Sequence, residues 1–562
     1  MSRPAIVIAH NAVVAKLFDA PREAKLLVQR ALSYQVDGFA SSNSFSKGCW
    51  DGRSSFFNFN QDTFPRGFVP VVAQQLASAG YQVRLHRDPL PAPLGPAVPD
   101  VDAFGYSDRY DFQYETFKRL ERHGQMIAQI ATGGGKSRTA RLCIARIARR
   151  TLFLTTRSIL MHQMADDMVT TFGKEKIGVL GDGKFKPALY NCATVQTIAA
   201  ALETLTVKGV VDAALKRMVT ADQKKLDAMR VKALKSGENP NAVAARMQKI
   251  AESLESQRPT MKELRADAEK KVAAQDERRN NMIEFLQSIE FLILEEAHEA
   301  ASNEFYSITQ HCSRAYYRLA LTATPFMKDS EEANMRLMAA SGPVAIQVSE
   351  AVLIGRGILA KPYFRIIKDI PAVGIGRSTP YQRARELGIV RNDWRNRAAV
   401  FEVKRAMEYG LTSMILVQLT EHGDIMLDLL KAAGVRAMYI RGENNQAERK
   451  RALNALRNGD IDCLVGTTIL DVGVDVPAVG LVIKLGGGKA EVADRQRIGR
   501  GARAKKVGPN IFFVVDFRDE VNNHLRGHAR ERLEVIESTP GFAEGLVEDF
   551  PYEALGLQRI AA

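Results

Sequence analysis

The run Ala131-Thr132-Gly133-Gly134-Gly135-Lys136-Ser137 follows the apolar stretch Ile127 to Ile130 and sets three glycines ahead of a lysine and a hydroxyl. It predicts a strand, a tight loop and a helix start. Glycines let successive N–H groups turn inward around a phosphate at the positive end of the following helix. Lys136 then meets the β- and γ-phosphates of a nucleotide, and Ser137 is a ligand for Mg²⁺. The general phosphate-loop pattern has a glycine where Ile130 stands. The match is therefore partial, and a Gly-rich turn opening a structural helix is the competing reading.

Two more stretches supply the remainder of a hydrolytic site. Phe291 to Leu294 is continuously apolar and ends in Glu295-Glu296-Ala297-His298. A carboxylate at a strand tip orders Mg²⁺ through water, and a second polarises the attacking water toward the γ-phosphate. Glu295 takes the first role and Glu296 the second, with His298 coupling the site to a nucleic-acid side. Far downstream, Gln496-Arg497-Ile498-Gly499-Arg500-Gly501-Ala502-Arg503 places three arginines along one side of a helix. Arginine's planar, always-charged fork matches phosphate oxygens. Arg500 and Arg503 are expected to reach ATP held on the earlier half of the chain, so hydrolysis requires closure.

Hydroxyl-rich turns recur where apolar runs end: Thr155 and Arg157 after Thr151 to Leu154, Thr194 and Gln196 after Ala193, and Thr322 and Thr324 after Leu319 to Leu321. In an open parallel sheet the carboxyl edge is where ligands bind, and these side chains suit a nucleic-acid backbone. Ser and Thr also cap helices at any such turn. Thr467 and Thr468, after the strand Leu464-Val465, lead to Gly473 and the acid Asp475, while Arg441-Gly442 and Arg449 stand where a phosphate backbone passes.

The elements that position these residues alternate strand and helix, which argues for parallel sheets. The expected architecture is α/β, in five parts. Residues 1–89 form a small α+β DNA-binding module, and 90–100 a proline-rich semi-rigid spacer. The first lobe is 101–335, interrupted at 203–285 by two or more long helices, and the second is 336–520. A helical tail, 521–562, follows. Two readings of the insertion stand: a solvated helical surface, or an arm that engages DNA or a partner through Lys270, Lys271, Arg278 and Arg279. In the N-terminal module, Lys47-Gly48-Cys49-Trp50-Asp51-Gly52-Arg53 and Phe64-Pro65-Arg66-Gly67-Phe68 mix aromatics and cations. The rings belong to a core or grip bases, and Arg53 and Arg66 are candidate phosphate contacts.

The 562 residues carry a formal charge of +14 and are 46% hydrophobic, which describes a folded chain with a polyanionic partner. Five scattered cysteines, none in a CxxC pair, point away from a disulfide framework or a zinc site and toward a reducing cytoplasm. No apolar run is long enough for a membrane span.

Taken together, Phe112-Gln113, Ala131 to Ser137, Glu295 to His298, Thr322 to Pro325, Gly466 to Pro477 and Gln496 to Arg503 resemble the motif set of superfamily 2 helicases, over roughly Arg109 to Asp516. The Glu-Ala-His string and arginine ending are closer to the XPB-like and phage UvsW-like branch than to DEAD-box RNA helicases. The Gly48 to Arg53 and Phe64 to Phe68 stretches resemble the small module preceding the motor in UvsW-type enzymes. The resemblance implies two tandem RecA-like domains with ATP and Mg²⁺ between them, Gln113 on the adenine, and Gly473 and Asp475 beside the nucleotide. It also implies action on branched or single-strand/duplex junction DNA in recombination and repair, with single-strand-binding, replication or recombination proteins as companions. Glu295 stands where the family generally has Asp, and Ala502 where it often has Gly. An RNA helicase and an ATP-switched DNA annealing or clamping protein with weak turnover are the alternatives.

Overall fold

Ile6 and Ile8, then Ala15 and Leu17, are buried between more exposed neighbours, the period of two expected of strands covered on one face. In the computed structural model, which describes residues 5–181, 184–297, 303–326, 330–467, 479–488, 505 and 508–560, they lie on β1 (Ala5–His10) and β2 (Val14–Phe18). A short pair, β3 (Ser33–Gln35) and β4 (Arg53–Ser55), stands apart. With β5 (Thr63–Pro65) and β6 (Gln82–Arg87), the first two strands make a sheet of order β5-β2-β1-β6. Helices Arg22–Ala31 and Val69–Ser78 pack with it around Phe57, Phe64 and Phe68.

With Phe185 and Lys186 exposed on a short strand at its edge, the first lobe is built of mostly buried strands. They are β7 (Gln125–Ile130), β8 (Thr151–Thr155), β9 (Ile177–Gly181), β10 (Lys184–Lys186), β11 (Tyr190–Thr194), β12 (Phe291–Glu295), β13 (Tyr317–Thr322) and β14 (Val344–Val348). Their order is β10-β9-β11-β8-β12-β13-β7-β14, parallel throughout except for β10. Every residue of β8, β11, β12 and β13 is buried, as a sheet covered on both faces requires. The second lobe repeats the design with β15 (Lys361–Lys368), β16 (Ser413–Leu416), β17 (Ala437–Ile440), β18 (Cys463–Gly466), β19 (Leu481–Lys484) and β20 (Ile511–Arg518). Its order is β15-β20-β19-β16-β18-β17, all parallel. Both lobes are RecA-like α/β domains.

The inserted segment is three helices, Val207–Lys235, Pro240–Ser256 and Met261–Gln287. The last is started by a capping box at Thr260 and Glu263. Its Gln275 donates to the carbonyls of Ala200, Ala201 and Glu203, closing the end of helix Val195–Leu202.

Three expectations about boundaries change. The proline-rich stretch is strapped to the first lobe rather than spanning a gap: Leu94 and Gly95 donate to the carbonyls of Ile147 and Arg146, Arg149 donates to Ala92, and Tyr317 Oη donates to Pro91. Prolines have no N–H to build a regular ladder, so the carbonyls of Pro91 and Ala92 are taken by tyrosine and arginine side chains instead. The first lobe also runs past 335, because β14 pairs with β7 and the second sheet begins only at Lys361. After helix Asn523–Ser538 the chain is irregular, yet it buries Phe542, Phe550 and Tyr552 in the two main cores, so it completes the second lobe rather than trailing from it. Among the described residues no helix is long and apolar enough to cross a membrane.

Candidate nucleotide site and nucleic-acid face

Parallel β7, β12 and β13 end at one edge of the first sheet, and the three motifs read from sequence leave from those ends. After β7 the loop turns with Gly133 at φ 90° and Gly135 at φ 81°, a region that a Cβ disfavours. Helix Lys136–Ile147 starts directly from Gly135, so its first N–H groups have no side-chain cap and are left for an anion. Thr132 is half-buried and Ser137 is exposed at the helix start.

Lys136 Nζ lies 3.7 Å from Glu296 Oε1, each side chain about a tenth exposed. Glu296 has φ 48°, a left-handed conformation rare outside glycine. Strain of this kind, at a carboxylate facing a phosphate-loop lysine, is typical of a functional position. Behind it Glu295 is buried, and its Oε2 has no hydrogen-bond partner among the described residues. Burial raises the Glu295 pKa above the usual carboxylate range; Lys136 pulls it down and Glu296 pushes it further up. A buried carboxyl oxygen without a partner is a position where a hard cation would favour the ionised form that burial disfavours. Among the described residues no trio of His, Cys, Asp or Glu forms a protein-only metal cage. Glu295 and Ser137 offer the oxygen donors that would hold a Mg²⁺ rather than a structural ion.

Thr322 and Thr324 end β13, where Thr322 Oγ1 accepts from Thr324 N at 3.2 Å and Gln129 Nε2, on β7, donates to Ala323 O at 3.3 Å. Thr324 Oγ1 is buried without a partner among the described residues. Thr155 and Thr194 end β8 and β11 on the same edge, with Thr194 capping helix Val195–Leu202. Arg157 is half-buried and Gln196 exposed beside them. Gly442 and Thr467 follow β17 and β18 of the second sheet. There the Gly442 carbonyl is taken by Arg449 at 2.6 Å, and Arg441 pairs with Asp424. His298, Thr468, Gly473, Asp475, Arg497, Arg500 and Arg503 lie outside the described residues.

Of the two arginines of the N-terminal module, Arg66 is buried away from solvent, whereas Arg53 stays exposed in a surface ion pair. Arg66 is 5% exposed, donates to Tyr316 O at 3.2 Å and lies over the Tyr316 ring; burial, with help from Arg318, lowers its pKa to about 10. It ties the module to the first lobe. Arg53 is paired with Glu331 Oε2 at 3.2 Å and with Ser33 O. Trp50 braces that turn by donating to Arg53 O at 2.6 Å.

Gln113, expected on a base, is fully buried and spends its amide elsewhere. Nε2 donates to Gly134 O at 3.0 Å and Gly135 O at 3.5 Å, and Oε1 accepts from Arg138 Nη1 at 2.7 Å. Arg138 in turn grips Asp102 with both Nε and Nη2. Sequence reasoning missed Arg138, Asp102 and Phe104. The only available signal was a cation directly after Ser137, and nothing in the spacing ties it to an acid 36 positions earlier.

Residues 107–327 match the family described as type III restriction enzyme, res subunit, and residues 399–505 match the helicase conserved C-terminal domain. A pre-mRNA-splicing ATP-dependent RNA helicase, PRP28 of Cryptococcus neoformans, is 30% identical over 190 residues, covering 34% of this chain and 24% of that protein. A putative helicase of a Sulfolobus islandicus filamentous virus is 23% identical over 254 residues, covering 43% of this chain and 44% of the viral one. The chain thus spans less than half the length of either relative. Among solved structures, T4 UvsW aligns over 97% of this chain and 98% of its own at 15% identity and a TM-score of 0.42. Saccharomyces cerevisiae Dbp5 bound to RNA and ADP BeF3 aligns over 79% and 94% at 14% identity and a TM-score of 0.43.

Proposed function

We infer that this chain, with a first lobe of the res-subunit kind and a second of the helicase C-terminal kind, is a superfamily 2 helicase that couples ATP hydrolysis to movement on nucleic acid. The observation that carries this reading is the approach of Lys136 to Glu296 with Glu295 buried behind them, at the carboxyl edge of a parallel sheet. The loop amides of Gly133 to Gly135 and Lys136 bind the triphosphate, while Glu296 orients the attacking water and accepts its proton. Ser137 and Glu295 are the residues that would hold Mg²⁺, which when bound neutralises charge on the β- and γ-oxygens. Arg500 and Arg503 stabilise charge developing on the transferred phosphoryl group, with Gly473 and Asp475 beside them. The strand runs along Thr155, Arg157, Thr194, Gln196, Thr322 and Thr324 and crosses to Gly442, Thr467 and Thr468.

The substrate we propose is branched DNA, supported by the likeness of the Gly48 to Arg53 and Phe64 to Phe68 stretches to UvsW-type modules and by the charge of +14. RNA is the second reading, favoured by the RNA helicases among the curated relatives. Steady-state ATPase rates with single-stranded, duplex, forked and four-way DNA, and with single-stranded RNA, separate the two. Stimulation greatest on forks and junctions is expected; stimulation by RNA alone overturns the DNA assignment. Lys136→Ala should abolish nucleotide binding, and Glu296→Gln should keep binding while turnover falls by about 10²–10⁴-fold. Strand separation that survives Glu296→Gln points instead to an ATP-switched clamp.

A further inference from the structure

The Gln113 side chain raises a question that the hydrolysis mechanism leaves open. A primary amide has two N–H donors and one carbonyl acceptor. Here Nε2 faces the carbonyls of Gly134 and Gly135, and Oε1 is held by Arg138. The side chain is fully buried, and a Cβ on Gly135 would stand 2.6 Å from Nε2, so the amide occupies the space that the missing Cβ leaves. A purine edge needs a donor and an acceptor together, and this amide has its donors turned to the loop.

Arg138 is fixed from several directions. It donates through Nε and Nη2 to Asp102 at 3.0 and 3.1 Å, and through Nη2 to Gly105 O at 2.7 Å; its guanidinium lies 5.1 Å from the centre of the Phe104 ring. Arg141 Nη2 approaches the same Asp102 at 3.6 Å. Burial alone would raise the Asp102 pKa, but Arg138 and Arg141 hold it below the usual carboxylate range. Only a planar fork reaches Asp102, Gly105 and Gln113 at once.

We propose that Gln113 acts on the phosphate loop rather than on the base, and that Arg138, held by Asp102, Gly105 and Phe104, is the positioning residue that sets it there. The inference rests on the nucleotide-hydrolysing reading and deepens it. The substrate class becomes nucleoside triphosphates gripped by their phosphates, with weak selection among bases.

The test is equilibrium binding of ATP, GTP, CTP, UTP and inorganic triphosphate to the full chain, with KM and kcat for each nucleotide. Wild type is expected to bind the four nucleotides within roughly tenfold of one another. Gln113→Ala and Arg138→Ala each raise every Kd, that of triphosphate included, by about tenfold, leaving the ratios between bases unchanged and kcat less affected than KM. Arg138→Lys does not restore binding, because an ammonium cannot span the three partners. Thermal melting of each variant monitors folding, and Gln113→Ala carries the test alone where Arg138→Ala does not fold. Weaker binding of ATP only, with GTP, UTP and triphosphate unchanged in Gln113→Ala, overturns the proposal and returns Gln113 to the base. A wild-type chain that binds no triphosphate overturns the nucleotide reading itself, a result distinct from a base-selective defect.

Discussion

Two adjacent glutamates do opposite things at one strand end. Glu296 is turned out by a left-handed backbone toward Lys136, whereas Glu295 stays inside with an unsatisfied oxygen. Because burial raises the folded-state pKa of Glu295, protonation favours the native state. That contribution is whole below the unfolded value of about 4.3 and is lost as pH climbs through the raised one. Glu295→Gln should therefore melt higher than wild type in metal-free buffer at neutral to alkaline pH, with the difference vanishing near pH 4. Melting curves across that range check it, and an equal or lower Tm at pH 8 argues against a charge-burial cost at this position. The placement of the lysine, the glutamate pair and the Thr322 turn at strand ends was legible because each follows an apolar run that no polar face interrupts. The setting of Arg66 was not legible because sequence shows a cation but not the carbonyl it meets, here that of Tyr316.

Single elements are held by polar contacts that composition does not reveal. In the second lobe Asp516, on β20, is buried between Lys484 of β19 at 2.9 Å and Arg532 of helix Asn523–Ser538 at 2.9 Å. Burial opposes its charge, yet Arg532 and Lys484 together hold its pKa far below the ordinary range. A depressed folded pKa gives stability that is present above the unfolded value and is lost as pH falls through the folded one. Asp516→Asn leaves two buried cations short of their anion and should cost about 3–5 kcal/mol, read from urea unfolding of the second-lobe transition. A loss below 1 kcal/mol would mean that the pair is better hydrated than its burial indicates. Apolar runs such as Phe291 to Leu294 and Thr151 to Leu154 announced their strands, since no polar side interrupts them. Val14–Phe18 escaped notice because its two buried positions, Ala15 and Leu17, alternate with Lys16 and exposed neighbours over only five residues.

At the scale of the whole chain, the N-terminal module is seated on the first lobe rather than hung from it. Gln125 donates to Ala12 O, Asp37 N donates to Glu332, and Gly67 lies against the backbone of Met338 and Ala339. Gly67→Ala would drive a methyl into the Met338 carbonyl. It should cost about 1–3 kcal/mol, measured as a lower melting temperature together with faster proteolysis between the module and the motor. Unchanged proteolysis would mean that the seat yields without opening. None of this docking was legible beforehand, because prolines and the absence of charge from Pro89 to Pro99 read as a semi-rigid spacer, whereas Leu94 and Gly95 are paired to Ile147 and Arg146. Those two pairings end the same helix whose opening turn cups the phosphate loop. A displacement of the strap that follows the N-terminal module is thus passed lengthwise along a rod of twelve residues to Lys136 and the glycine turn ahead of it, so the two ends of the first lobe answer to each other.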